Sequence, residues 1–203
     1  MTRQSYNIVA EKYHELFKDE MHQKAYDRKF LDDFSRYFTR NAIIYDMGCG
    51  PSGHIGHYLH EKGVKVIGVD ISEKCVEIAS HYQQDMQFFC MDMANLDLEE
   101  QSIDGIIAFY SIIHTPKTYV PALFQEFHRV LKKGGKLLVT VKGGEKEGYL
   151  DEFLEYITPI YFSHFTQEEI ETYFTENGFS MLFLQNRIPG SPPVKCCSSQ
   201  LMS

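Results

Sequence analysis

No run of this 203-residue sequence is long and apolar enough to cross a bilayer, which takes about 20 such residues. Met1 to Ala10 lacks the basic start and apolar block of a secretion signal. A cytoplasmic protein free of membrane attachment is therefore expected. Positive charge is scarce: 20 Lys and Arg face 28 Asp and Glu, a formal net charge of −8. General nucleic-acid binding rests on a basic face that neutralises phosphates, so that class is disfavoured. The one dense basic cluster, Lys132, Lys133 and Lys136, flanks a Gly-Gly turn and reads as a solvated turn. Cysteines are odd in number, at 49, 75, 90, 196 and 197, and form no Cys-x-x-Cys pair. Reduced thiols are the expectation. Adjacent Cys196 and Cys197 lack the further thiolates that a soft metal or arsenic site requires, and no metal is expected. There is no internal repeat, and 23.6 kDa is most economically one domain around one core.

What is present is concentrated in Ile43 to Gly53, an apolar strand running through Asp46 into a turn with glycines at 48, 50 and 53. Such glycines let the backbone turn tightly and approach a ligand, and His54 to Gly63 then reads as a helix whose N-terminus faces it. A second apolar strand, Val64 to Val69, ends in Asp70, where a carboxylate can accept hydrogen bonds from both hydroxyls of a ribose. The Gly48-x-Gly50-x-x-Gly53 pattern also matches a dinucleotide fingerprint, but alone that match is weak. Asp46 sits where a pyrophosphate would meet a negative charge, whereas a cofactor carrying a sulfonium and an ammonium group suits one. S-adenosylmethionine is favoured over NAD.

Further along, Phe88 to Met93 reads as a third strand bearing Asp92, and Ser102 to Tyr110 as a fourth. Glu126 to Val139 reads as helix, turn and fifth strand. Together these segments resemble the class I S-adenosylmethionine-dependent methyltransferases, over roughly Tyr6 to Phe183. The Tyr-Ser-Ile-Ile-His-Thr-Pro run, Tyr110 to Pro116, is similar to a small bacterial group with no settled substrate. The resemblance implies a three-layer Rossmann-like α/β fold: a mostly parallel seven-stranded sheet, an antiparallel C-terminal hairpin and N-terminal lid helices. It implies that the glycine turn (Asp46, Gly48, Cys49, Gly50) holds the methionine part, that Asp70 with Ile71 binds the ribose, and that Asp92 with Met93 lies beside the adenine. Tyr110 would border the transferred methyl. Ser52 departs from the usual glycine at its position, with Gly53 one place later.

The expected organisation is one domain over 1–203. Lid helices fill 1–40, the cofactor core 41–141, a substrate-side insertion 142–165, and a last helix with the hairpin 166–203. Tyr6 to Phe17 and Lys24 to Phe38 read as amphipathic helices, the first with Val9, Tyr13, Leu16 and Phe17 on one face. Tyr13 is the choice for cofactor contact. Ser72 should cap the helix Glu73 to Tyr82, and Thr166-x-x-Glu169 should open a helix ending at Gly178. Phe179 to Arg187 and Lys195 to Met202 are the expected hairpin arms. Lys142 to His164 is too long for an ordinary connection and is rich in Tyr and Phe, which makes it one wall of a substrate pocket or a seal on the sheet edge.

Methyl transfer from a sulfonium needs alignment and exclusion of water more than it needs a metal or a covalent intermediate. His114 is placed to act as a base on the acceptor or to hold a neighbouring group, and Tyr110 to orient the acceptor. His54, His57 and His60 mimic a metal-binding helix face, but successive members rotate around the helix. The expected activity is methyl transfer to oxygen or nitrogen of a small molecule, by a monomer or homodimer. Alternatives are a tRNA or RNA nucleoside methyltransferase and a non-catalytic S-adenosylmethionine-binding regulator.

Overall fold

In the computed structural model the protein is described over residues 1–185 and along the backbone of 196–201. The chain first lays down three helices, α1 (Thr2–Phe17), α2 (Glu20–Gln23) and α3 (Ala25–Ser35). Strands and helices then alternate: β1 (Ile43–Met47), α4 (His54–Glu61), β2 (Lys65–Asp70), α5 (Glu73–Tyr82), β3 (Gln87–Cys90) and β4 (Ile103–Phe109). Two short 3-10 turns follow, and then α6 (Val120–Val130), β5 (Leu131–Thr140), β6 (Glu147–Phe153), β7 (Tyr156–Ser163), α7 (Gln167–Glu176), β8 (Phe179–Phe183) and β9 (Cys196–Leu201).

The main sheet has the order β3-β2-β1-β4-β5-β9-β8, with the first five strands paired in parallel and β9 antiparallel to both of its neighbours. β1, β2 and β4 are buried along nearly their whole length, as central parallel strands covered on both faces must be. One face is covered by α6 and α7, whose Phe124, Phe127 and Phe174 are wholly buried. The other face is covered by α3 and α4 through Phe30, Leu31, Phe34, Ile55 and Leu59. Chain order reverses between β1 and β4, which opens a crevice at the strands' carboxyl ends.

Several boundaries differ from the sequence reading. The buried stripe of α1 is Ser5, Val9, Ala10 and His14, while Leu16 stands 53% exposed. The helix packs on α5 and β7 at once, so its inner face is set by two neighbours and not by hydrophobicity alone. α3 stops at Ser35, which leaves Tyr37 exposed past its end. β3 ends at Cys90, so Asp92 lies two residues beyond the strand. The Gly134-Gly135 segment runs inside β5, which pairs with β4 across a register shift between Ile103 and Gly105.

Residues 147–163 form an antiparallel hairpin rather than a loop, turning at Leu154 and Glu155, whose φ values are 51° and 69°. The caps fall where expected: Ser72 Oγ accepts from Cys75 N, and Thr166 and Glu169 form a capping box. Of the hairpin arms, β8 ends at Phe183, while Lys195, Met202 and the side chains of Cys196 and Cys197 lie outside the described residues. Among the described residues no helix is long and apolar enough to cross a membrane.

Candidate cofactor and acceptor site

The turn after β1 is held down before anything binds. Gly48 N and Cys49 N both donate to Val69 O, at 2.7 and 3.0 Å, which ties the turn to the end of β2. Gly48 sits at φ 75°, and a Cβ there would lie 2.4 Å from Ser111 Cβ. Only glycine permits that approach, which brings the segment after β4 against the turn. Ser52, in place of the usual glycine, is buried and hydrogen-bonded to His14 Nδ1 at 3.2 Å, so the departure anchors α1 without opening the turn.

Two carboxylates lie behind this turn. Asp46, 1% exposed, accepts a hydrogen bond from Gly56 N at 2.9 Å, and burial pushes its pKa up to about 7, with Asp70 adding to the rise. Asp70, 7% exposed, accepts from Gly50 N and Ser72 N, each at 2.9 Å. Burial raises its pKa to about 6 against the lowering effect of those amides. Two buried acids on adjacent strand ends are costly unless a cation joins them. Asp92 is exposed and turns the chain by accepting from Ala94 N at 2.9 Å.

Above the crevice lies α1. Its Asn7 side chain accepts from Ser72 Oγ, its Ser5 hydroxyl donates to Pro159 O at 2.6 Å, and Lys12 pairs with Glu155 at 2.6 Å on the β6–β7 turn. Tyr13 packs on Phe17 at 4.4 Å between ring centroids and tilts against Tyr6 at 5.9 Å. Helix and hairpin thus roof a cavity of about 500 Å³ that runs from Asp46, Gly48, Cys49 and Gly50 past Asp70, Ile71, Asp92 and Met93. It continues by Tyr110 and His114 to Phe153 and Phe162. All ten expected cofactor-side residues, together with His114, line this one space.

At the far end, Tyr110 adopts φ 52°, a left-handed conformation that costs a non-glycine residue about 1–2 kcal/mol. The kink turns the chain from β4 into Ser111 and the 3-10 turn that carries His114. His114 Nδ1 lies 2.9 Å from Tyr161 O, a carbonyl that can only accept, so the neutral ring carries its proton on Nδ1. Nε2 therefore accepts from the Tyr6 hydroxyl at 2.8 Å. Burial lowers the His114 pKa to about 4, partly offset by the Tyr161 hydrogen bond and reinforced by the positive charge of Lys142. At neutral pH the imidazole is uncharged, with its basic nitrogen engaged by the half-buried Tyr6 phenol.

Tyr6 had no signal of its own in the sequence. It stands 108 residues from His114, and one aromatic among several on an amphipathic helix looks like core. The same holds for Ser111, whose buried hydroxyl has no partner among the described residues. The three helix histidines are taken up otherwise: His54 Nε2 bonds Glu20 at 2.7 Å, and His57 and His60 approach Asp85 at 3.9 and 3.6 Å.

The fold is a Rossmann-like α/β architecture with an acid-backed crevice at the carboxyl ends of its strands. Comparison with known proteins sharpens that class. Residues 44–135 match the model of a family described as methyltransferase domain. Phosphoethanolamine N-methyltransferase 2 of Caenorhabditis elegans is 27% identical over 157 residues, covering 75% of this chain and 36% of that protein. The chain thus spans about a third of the length of this curated relative. An S-adenosylmethionine-dependent methyltransferase of Methanosarcina mazei superposes with a TM-score of 0.73 at 17% identity, covering 84% of this chain and 97% of that one. The Burkholderia thailandensis 1,6-didemethyltoxoflavin-N1-methyltransferase, with 1,6-didemethyltoxoflavin and S-adenosylhomocysteine bound, gives 0.74 at 16% identity, covering 99% and 87%. At such identities the structures establish the shared fold. Residues 44–135 of this chain are thus similar to a methyltransferase domain, and the solved structures that share its fold include enzymes that use S-adenosylmethionine.

The residues present fit that cofactor. Glycines at 48 and 50 leave the turn free of side chains, the unpartnered Ser111 hydroxyl adjoins it, and the buried acids supply negative charge for a cation.

Proposed function

We propose that this chain transfers a methyl group from S-adenosylmethionine to oxygen or nitrogen of a small-molecule acceptor by in-line displacement. The observation that carries the reading is a single roofed cavity. Buried Asp46 and Asp70 stand at one end, and aromatic side chains with His114 stand at the other. A roofed pocket suits a small acceptor better than a nucleic acid, and so does the net charge of −8. Relatives named for phosphoethanolamine and 1,6-didemethyltoxoflavin support the same class.

When bound, S-adenosylmethionine supplies a methyl group on a cationic sulfur. Asp70 would accept from the ribose hydroxyls, Asp92 from the adenine amine, and Ile71 and Met93 would flank the base. Asp46 and the Gly48-Cys49-Gly50 backbone would hold the methionine part, with Tyr13 over it, and Tyr110 and His114 would lie on the methyl side. An acceptor that must lose a proton can pass it to the Tyr6 oxygen as the Tyr6 proton moves to His114 Nε2, with Tyr161 O holding the resulting imidazolium through Nδ1–H. α1 and the hairpin exclude water.

The direct test is release of S-adenosylhomocysteine across a panel of small hydroxyl and amine acceptors, with bulk tRNA as the opposing arm. Turnover on tRNA alone would replace this reading with the nucleoside one, and tight cofactor binding without turnover would favour a regulator.

With a working acceptor, His114→Ala is expected to lower turnover by about 10² to 10⁴, the usual contribution of a general base, with S-adenosylhomocysteine affinity nearly unchanged. An affinity loss as large as that of Asp70→Ala would show that His114 serves the cofactor. Hydrogen exchange should report added protection of residues 2–17 when S-adenosylhomocysteine binds, since this helix must open to admit it. Equal exchange with and without ligand would remove the lid role.

A further inference from the structure

Charge is distributed unevenly along the cavity. The acids Asp46, Asp70 and Asp92 gather beneath β1, β2 and β3, at the end assigned to the cofactor. At the opposite end stands Lys142, two residues beyond β5. Its ammonium lies 4.8 Å above the Phe162 ring, the ring that also packs edge-on against His114 at 4.7 Å between centroids. One aromatic side chain thus holds both the imidazole and the ammonium. The positive charge is felt at His114, whose protonation it opposes.

This lysine has no carboxylate within 4 Å among the described residues, although acids outnumber bases in the chain by eight. Lys24, the other lysine lining the cavity, is paired with Glu20 at 2.7 Å. Nor can an acidic side chain outside the described residues neutralise Lys142, because Glu176 is the last acidic residue of the sequence. The reading above assigns the cofactor's methionine part, and with it the cofactor's carboxylate, to the glycine turn after β1. The sheet order β2-β1-β4-β5 sets the ribose acid on β2, the glycine turn after β1 and the methyl-facing residues after β4. Lys142 comes one strand further, on the acceptor side.

We propose that Lys142 is a specificity-determining residue that ion-pairs an anionic group, carboxylate or phosphate, on the methyl acceptor. This rests on the methyltransferase reading above and narrows its substrate class to small anionic molecules. Lys142 is exposed at the rim of the cavity with only the Phe162 ring against its ammonium, so such a pair weakens as salt is added. It would anchor the acceptor at one end while its nucleophilic atom meets Tyr6 and the methyl.

The test uses the full chain loaded with S-adenosylhomocysteine and two pairs of probes matched in shape, benzoate against benzamide and phenyl phosphate against phenol. Calorimetry at low ionic strength should show at least one anion binding roughly 3- to 5-fold more tightly than its neutral partner. The pair with the larger ratio tells carboxylate from phosphate. Lys142→Met should bring the ratio to near unity and Lys142→Arg should retain most of it, with S-adenosylhomocysteine affinity unchanged in both. Four results would overturn the proposal: no anion preference, a preference that survives Lys142→Met, no measurable binding of any probe, or loss of S-adenosylhomocysteine affinity in Lys142→Met. Failure of the parent protein to bind S-adenosylhomocysteine would instead remove the methyltransferase reading, and this proposal with it.

Discussion

Asp70→Ala is expected to weaken S-adenosylhomocysteine binding by about 1.5 to 3 kcal/mol, the range for hydrogen bonds to a charged group, or roughly 10- to 150-fold. Two losses combine. On the proposed role the carboxylate would no longer meet the ribose, and Gly50 N and Ser72 N would lose the acceptor that fixes the glycine turn and the start of α5. The fold should survive, because the strand carrying Asp70 is buried between β1 and β3 by Val66, Ile67 and Val69. Asp70→Asn keeps one acceptor oxygen and should fall between the parent and the alanine variant. Calorimetry with NAD as the control ligand measures it. Alanine binding within twofold of the parent would remove Asp70 from the site, and tight NAD binding without S-adenosylhomocysteine binding would overturn the cofactor assignment.

Cofactor affinity should also rise steeply with pH. In the empty protein burial places the pKa of Asp46 at about 7 and that of Asp70 at about 6. A cationic cofactor binds the ionised acids, so binding below these values must expel protons. If both must ionise, S-adenosylmethionine affinity should fall by roughly 10² to 10³ from pH 8 to pH 5. Three further groups among those lining the cavity lie outside this window: His114 titrates below it, at about 4, and burial raises Tyr6 and Tyr13 above it.

The same shifts act on stability with the opposite sign. A carboxyl whose folded pKa is raised stabilises the fold below its unfolded value near 4, and that contribution is lost as pH rises through 6 to 7. On the account of these two groups the empty protein therefore weakens between pH 5 and 8, while stabilisation by the cofactor grows. The melting shift produced by S-adenosylmethionine should be largest near pH 8 and smallest near pH 5, and Asp46→Asn should flatten the trend. A shift independent of pH would show that the cofactor does not meet these carboxylates.

Much of the fold could be read from local pattern. Alternating apolar strands and capped helices specify a parallel sheet covered on both faces, and Ser72 and Thr166 mark helix starts through hydrogen bonds closed within three residues. The glycine turn with Asp46 and Asp70 was equally legible, because backbone conformation and strand-end position are properties of short segments. The hairpin over 147–163 was not. Its strands pair from Phe153 with Tyr156 out to Glu147 with Ser163, and its turn uses Leu154 and Glu155 in left-handed conformations that their types do not advertise.

The sequence by itself determined the order of the sheet-building elements and the acid-backed turn, since hydrophobic period, glycine and caps act over a few residues. Tertiary structure decided what the far end of the cavity contains. Tyr6, His114, Phe162 and Lys142 come from four separate segments, and their meeting depends on α1 and the β6–β7 hairpin closing over the sheet. No local preference encodes that meeting. Packing against partners from 38 to 154 residues away selects which face of α1 turns inward, so Leu16 was left in water and Tyr6 was brought to the histidine.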